Sequence, residues 1–308
     1  GHGHVYSGYG SHYCSVGWQK PQRNLLGEGI GMKQNKKKVG KIVMTAVLLI
    51  LGAANIFPFI FMLSASFKPL NEIFVYPVKL IPEHFITSNY KEVFSAQYSF
   101  VRWYFNTFVM VGTILVLKVG IVTLTAYAFA RLRFKGRDIL FVVLLSSMMI
   151  PPDAVIIPKY VIFKAFGITD SMWSIVLPSI FDVFFVFMVR QFFLGIPETL
   201  SEAAIIDGCG HFKIYSQIVL PLAKPAVITM ILFTFIWAWN DYMGPYIFIT
   251  TPAKQMLSVG IKMFQVNNSV DYGLQMAAAT MVLIPIIVMF LFSQRYFIEG
   301  IATSGMKN

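Results

Sequence analysis

Six apolar stretches, each as long as a bilayer demands, constrain this chain more than any other feature: approximately Ile42–Leu63, Thr107–Ala130, Ile139–Ile157, Met172–Val189, Val227–Ile249 and Leu274–Phe292. A helix needs roughly 17 to 25 mostly apolar residues to cross a hydrocarbon core. Helices are implied because a spanning backbone must satisfy its own polar groups, and these runs do not alternate as barrel strands do. Only 13% of the residues are charged, against about 25% in soluble domains. The expected fold class is therefore all-α and integral to a membrane, with six transmembrane helices.

The net charge of +11 first suggests nucleic acid, but the basic residues are placed as membrane topology would place them. Lys33, Lys36, Lys37, Lys38 and Lys41 precede the first span, and Arg131, Arg133, Lys135 and Arg137 fill the loop between the second and third. Positive residues favour the cytoplasmic side. An even number of spans then puts both termini inside, together with the long loop from Arg190 to Lys224. Lys68, Lys79, Lys91 and Arg102 lie on the opposing side, so the bias is partial. The lipid bilayer is the expected environment, and no nucleic-acid partner is expected.

The domain reading follows. Residues 1–31, rich in Gly, Tyr, Ser and His without apolar periodicity, are expected to be an unstructured extension. Residues 32–41 form a basic cytoplasmic segment, 42–297 the transmembrane domain with a loop at 195–225, and 298–308 a cytoplasmic tail. Cys14 and Cys209 give no structural disulfide. His2, His4 and His12 form too weak a tract to indicate a metal site, and no catalytic or metal-ligating constellation is expected in the spans.

The long loop carries the most specific pattern. It reads Ile196-Pro197-Glu198-Thr199-Leu200-Ser201-Glu202-Ala203-Ala204-Ile205-Ile206-Asp207-Gly208 and, nine residues later, Ile218-Val219-Leu220-Pro221. Pro197 suits the start of a helix, and Glu198 and Glu202 complement its positive end. Gly208 can take the left-handed conformation that ends it, and from His211 the chain resumes helically until Pro221. The two alanines leave a flat surface that another protein can approach.

With Glu202, Ala203, Ala204, Gly208, Ile218, Leu220 and Pro221 at this spacing, the chain resembles the permease family of binding-protein-dependent ABC importers. Ser66-Phe67-Lys68-Pro69, Leu80-Ile81-Pro82 with Asn89-Tyr90, Tyr127-Ala128-Phe129-Ala130-Arg131, Trp239-Asn240-Asp241 and Gln294-Arg295-Tyr296-Phe297 are similar to its carbohydrate branch, typified by the second permease subunit of the maltose transporter and its glycerol-phosphate counterpart.

The resemblance implies a type I ABC importer permease fold in a bacterial cytoplasmic membrane, with Glu202 to Gly208, Asp207 included, as a helix that docks on a dimeric ATPase. It also implies a homologous permease partner, an extracytoplasmic solute-binding protein, and alternating access. ATP and Mg would be held by the ATPase and no cofactor by this chain, which lacks a phosphate-binding Gly-x-x-x-x-Gly-Lys-Ser/Thr loop and is expected to be no enzyme. The tail residues Gly300, Gly305 and Lys307 would reach the ATPase, and roughly Thr250–Lys262 the binding protein.

Within the spans, Asp182 is costly in lipid and should face a cavity or a partner; it is a candidate for the translocation path or for a bond between helices. Lys118 should pair. Trp237, Trp239, Asn240 and Asp241 could line a sugar path or serve as packing and interfacial anchors. Pro151-Pro152-Asp153 should break the third span, as part of an external gate or as a simple helix end. Two alternatives stay open: an ion-gradient-driven secondary transporter using Asp182 and Lys118, and an ABC permease for a non-sugar solute such as glycerol phosphate.

Overall fold

The computed structural model of the protein describes residues 23–95, 98–266 and 269–305, with side chains between 40 and 294 except at 96–97 and 265–269. The chain divides into two compact units, 1–59 and 60–308. Helix α1, Arg23–Ala65, opens the described chain. It begins inside 1–31, where an unstructured extension was expected: a helix already nucleated by its apolar span propagates outward at little cost. Residues 1–22 lie outside the described part. Between Gly40 and Ala65 the helix is long and apolar enough to span, and none of its most apolar window is buried.

In the second unit, α2 (Phe100–Arg131) is the central helix. It packs on α6 (Val183–Leu194) and α8 (Lys224–Asn240), and α8 packs in turn on α10 (Tyr272–Gly305). Two buried apolar clusters divide α2 between them. Phe100, Trp103, Met110 and Ile114 join Phe235, Trp239, Phe264 and Leu274 in one, while Val122, Ala126, Tyr127 and Ala130 join Phe185, Phe193, Ile214 and Tyr215 in the other.

Four helices are long and apolar enough to cross a membrane, and two bent pairs bring the total to six. The third span is one such pair. Helix α3, Arg137–Ser146, runs through a 3-10 turn to Met149, and after Pro151 the chain restarts at Pro152 and becomes α4, Ile156–Ala165. The two halves meet at 92°, because Pro151 is held extended and neither proline can donate to the preceding turn.

The fourth and fifth stretches are also interrupted. Helix α5, Trp173–Ser179, gives way at Ile180–Asp182 to α6, whose N-terminus is capped by the Asp182 carboxylate accepting from the Phe184 N–H at 3.0 Å. Asp182 is thus a cap at a helix junction and not a mid-helix residue. Helix α8 stops at Asn240, Asp241 is extended, and a short helix α9, Met243–Phe248, follows.

Two of the sequence motifs, Ser66-to-Pro69 and Asn89-Tyr90, meet beside α10. The Asn89 amide donates to the carbonyls of Ser66 (3.0 Å) and Lys68 (2.9 Å), and the Ser66 and Tyr90 hydroxyls lie 2.8 Å apart. Lys68 is buried, and its ammonium donates to the Lys79 carbonyl.

The segment after α9 folds back onto the first turns of α2. Trp103 Nε1 donates to the Pro252 carbonyl at 2.7 Å, Asn106 Nδ2 to those of Ala253 and Gln255, and Leu257 N–H to Thr107 Oγ1 at 2.8 Å. A two-residue antiparallel pair, β1 (Gln265–Val266) with β2 (Ser269–Val270), precedes α10.

Candidate functional site

The loop signature folds as a compact helical bracket. Helix α7, Glu198–Ile206, starts after Pro197, which is already extended and needs no N–H bond there. Its two alanines have different surroundings. Ala204 is buried with Ile214, Tyr215 and Val219, whereas Ala203 is exposed beside Glu202.

The end of α7 is a complete Schellman turn. Cys209 N–H donates to Ala204 O at 2.9 Å and Gly208 N–H to Ile205 O at 2.9 Å, with Gly208 at φ +78°. Space for a Cβ is open there, so the glycine is required by backbone conformation alone. Leu200, Ile205 and Ile206 of α7 and, across the turn, Phe212 are exposed large apolar side chains, Ile206 at 86% and Phe212 at 73%.

Beyond Gly210 the chain passes through His211–Ile214, a π-helical turn Tyr215–Val219, and Leu220–Leu222, before turning 78° into α8. Ile218 and Leu220 pack partly buried against the second cluster, and Pro221 is exposed. The Tyr215 hydroxyl bonds that of Thr123 in α2 at 2.7 Å.

Arg131 fixes the other side of the bracket. Its guanidinium donates to the Phe193 carbonyl in the last turn of α6 at 2.7 Å and to that of Ile196 just beyond it. Arg190 Nε donates to Phe129 O at 3.2 Å, with its guanidinium 4.1 Å from the Phe141 ring centre. The Tyr127-to-Arg131 motif therefore joins α2 to both flanks of α7.

A second polar feature lies at mid-bundle depth, where Lys118, Ser179, Asp182, Thr234, Trp237 and Asp241 border a cavity of about 360 Å³. Lys118 is 6% exposed and approaches Asp182 Oδ2 at 3.4 Å, with the Phe185 ring 5.2 Å away. The Asp241 carboxylate accepts from Gly244 N–H at 3.1 Å; a Cβ on Gly244 would fall 2.5 Å from one of its oxygens, so a larger residue there would displace the carboxylate.

Asp182 and Asp241, far apart in sequence, thus share one cavity. Trp239 and Asn240 do not border it. Trp239 is buried, lies 4.9 Å from the Phe108 ring, and donates from Nε1 to Val282 O; the Asn240 amide donates to Ile236 O within its own helix. An adjoining cavity of about 220 Å³ shares Ser179 and Asp241 and extends to Asp153 and Lys159.

At the outer edge of the folded-back segment, Asp170 accepts from Thr250 N–H (2.9 Å), Thr251 N–H (2.8 Å) and Lys254 Nζ (2.8 Å). Lys254 and the Thr251 backbone hold its carboxyl far below the usual carboxylate range. Of the tail residues, Gly300 and Gly305 are described only as backbone of α10, and Lys307 lies outside the described residues. No cluster of three or more potential metal ligands occurs among the described residues.

The family described as "Binding-protein-dependent transport system inner membrane component" matches residues 25–302. The chain is 30% identical over 271 residues to the arabinooligosaccharides transport system permease protein AraQ of Bacillus subtilis (strain 168), covering 87% of this chain and 96% of that protein. It is 31% identical over 282 residues to the sn-glycerol-3-phosphate transport system permease protein UgpE of Yersinia enterocolitica, covering 89% and 99%. Its fold matches a chain of a bacterial ABC transporter involved in import of the acidic polysaccharide alginate with a TM-score of 0.78 at 24% identity, over 85% of this chain and 98% of that one. With this fold, its multi-pass helices and a match over most of its length, the chain belongs to the family of binding-protein-dependent transport system inner membrane components.

Proposed function

We propose that this chain is one permease half of an ATP-driven importer of carbohydrate, with α7 as the element that receives force from a separate ATPase. The observation that carries the reading is the Glu202-to-Pro221 pattern folded into a helical bracket with exposed apolar residues and a Schellman end. Glu202, Ala203 and the exposed isoleucines meet the ATPase. Ala204, Ile218 and Leu220 tie the bracket to the spans, Asp207 and Gly208 shape the turn, and Pro221 marks the bend toward α8.

The complete transporter pairs this chain with a homologous permease, a dimeric ATPase that binds ATP and Mg, and an extracytoplasmic binding protein. This chain carries out no reaction of its own. It sits in a bacterial cytoplasmic membrane with α7 and both termini on the cytoplasmic side, and access to the solute alternates between the two faces. Gly300, Gly305 and Lys307 reach toward the ATPase. The segment Thr250–Lys262, pinned to α2 and edged by Lys254, offers the binding protein a stiff platform. Relatives that carry arabinooligosaccharides support a saccharide as the solute.

Uptake measured in vesicles supplied with ATP, with and without an ionophore, tests this reading. Saccharide uptake should require ATP and survive collapse of the ion gradients. Transport that persists without ATP and fails with the gradient would replace it with an ion-coupled carrier built on Lys118 and Asp182.

A further inference from the structure

We infer that the cavity bordered by Lys118, Asp182, Thr234, Trp237 and Asp241 is a solute subsite within this permease half, and that it takes an uncharged sugar residue in preference to an acidic one. The inference rests on the carbohydrate-import reading above and adds to it a place and a chemical class.

Thr234 gives the first indication. It is 2% exposed, borders the cavity, and its hydroxyl has no hydrogen-bond partner among the described residues. Thr107, Thr113, Thr123, Thr125, Thr229 and Thr280 on the same helices each donate to the carbonyl four residues earlier. A buried hydroxyl that forgoes this local bond is costly unless something else engages it.

Lys118 gives the second. Its ammonium carries three N–H donors, yet its hydrogen-bond partner among the described residues is a single carboxylate oxygen at 3.4 Å. Donor capacity is therefore left over on a residue that lines the same cavity as Thr234.

The remaining walls suit a sugar ring. Trp237 is 50% exposed and backed by Phe184, Phe185 and Phe233, giving a fixed apolar plate. A volume of about 360 Å³ falls in the range of small-molecule sites, ~300–1,000 Å³, which pair apolar walls with a few placed polar groups. The adjoining cavity beyond Ser179 and Asp241 leaves room for the next residue of an oligosaccharide.

Charge sets the class. Two carboxylates face one ammonium, and that ammonium is already drawn to Asp182. A uronic acid or phosphate entering beside Asp241 meets repulsion that hydroxyl groups do not.

The test uses the full transporter, reconstituted with its partner permease, ATPase and binding protein in proteoliposomes. A panel of uncharged di- and trisaccharides and a matched uronic-acid panel are supplied as probes. ATP-driven uptake should be confined to uncharged members. For those, Thr234→Val should lower uptake at least tenfold while the complex assembles at the wild-type yield, Thr234→Ser should restore it, and Trp237→Ala should act like Thr234→Val.

Equal uptake of acidic members would overturn the assigned class. Uptake by Thr234→Val and Trp237→Ala at the wild-type level would overturn the subsite while leaving the importer reading intact. Absence of ATP-driven uptake for every saccharide would instead overturn the carbohydrate reading and, with it, this inference.

Discussion

The Tyr215 hydroxyl lies 2.7 Å from the Thr123 hydroxyl, both buried, linking the helical segment that follows α7 to α2, the central helix. In the proposed coupling, displacement of α7 would reach α2 through this short polar contact between packed side chains. Replacing either partner alone strands the other, at a cost of about 1–3 kcal/mol. Tyr215→Phe and Thr123→Val should each lower the melting temperature of the purified complex and the solute moved per ATP. The double variant should fall short of the sum of the two, and strict additivity would mean the hydroxyls are not coupled.

Gly208 stands at φ +78° with open space around its Cα. Gly208→Val therefore meets no collision but must hold a β-branched residue in the left-handed region, costing about 1–2 kcal/mol. Membrane insertion should be normal and ATP-driven uptake should fall severalfold, with Gly208→Asn in between. Full transport by the valine variant would remove the turn from the coupling path.

The two alanines of the signature separate by exposure. In a Cys209→Ser background, Ala203→Cys should crosslink to a cysteine placed in the ATPase cleft, and Ala204→Cys should resist both crosslinking and thiol reagents. The reverse pattern would mean that α7 docks by its other face.

Asp170 offers a pH signature with a definite sign. Its folded carboxyl is held far below the ordinary value by Lys254 and Thr251. Its contribution is thus fully present above the unfolded carboxylate range and is lost as pH falls through and below about 4. Asn tolerates the residue's φ of +56°, so Asp170→Asn removes chiefly the charge. The melting temperature of this variant should trail the wild type by a constant amount from pH 7 to 5, and the gap should close in more acidic buffer. A gap that widens with acid would rule out the ion pair as its source.

Much of this could be read before any coordinates. The six apolar runs and the loop pattern are properties of spacing, and spacing survives folding: Gly208 ends α7 as its position requires. Interruptions within the fourth and fifth runs escaped, because hydropathy averages over windows and does not register that Asp182 caps a helix or that Asp241 bonds Gly244. Trp237 and Trp239 read as one aromatic cluster, yet two positions along a helix turn about 200°, sending one ring to the cavity and the other into the core. Thr234 gave no signal in sequence, since threonine is common in spans and only the absence of its usual local bond sets it apart.

The two carboxylates of the cavity both stand at joints, Asp182 where α5 passes to α6 and Asp241 where α8 passes to α9. Rods articulated at such points can swivel as rigid pieces while every internal hydrogen bond stays closed. The chamber between them is thus bounded by two joints, where a change of helix direction would break no bond inside any helix.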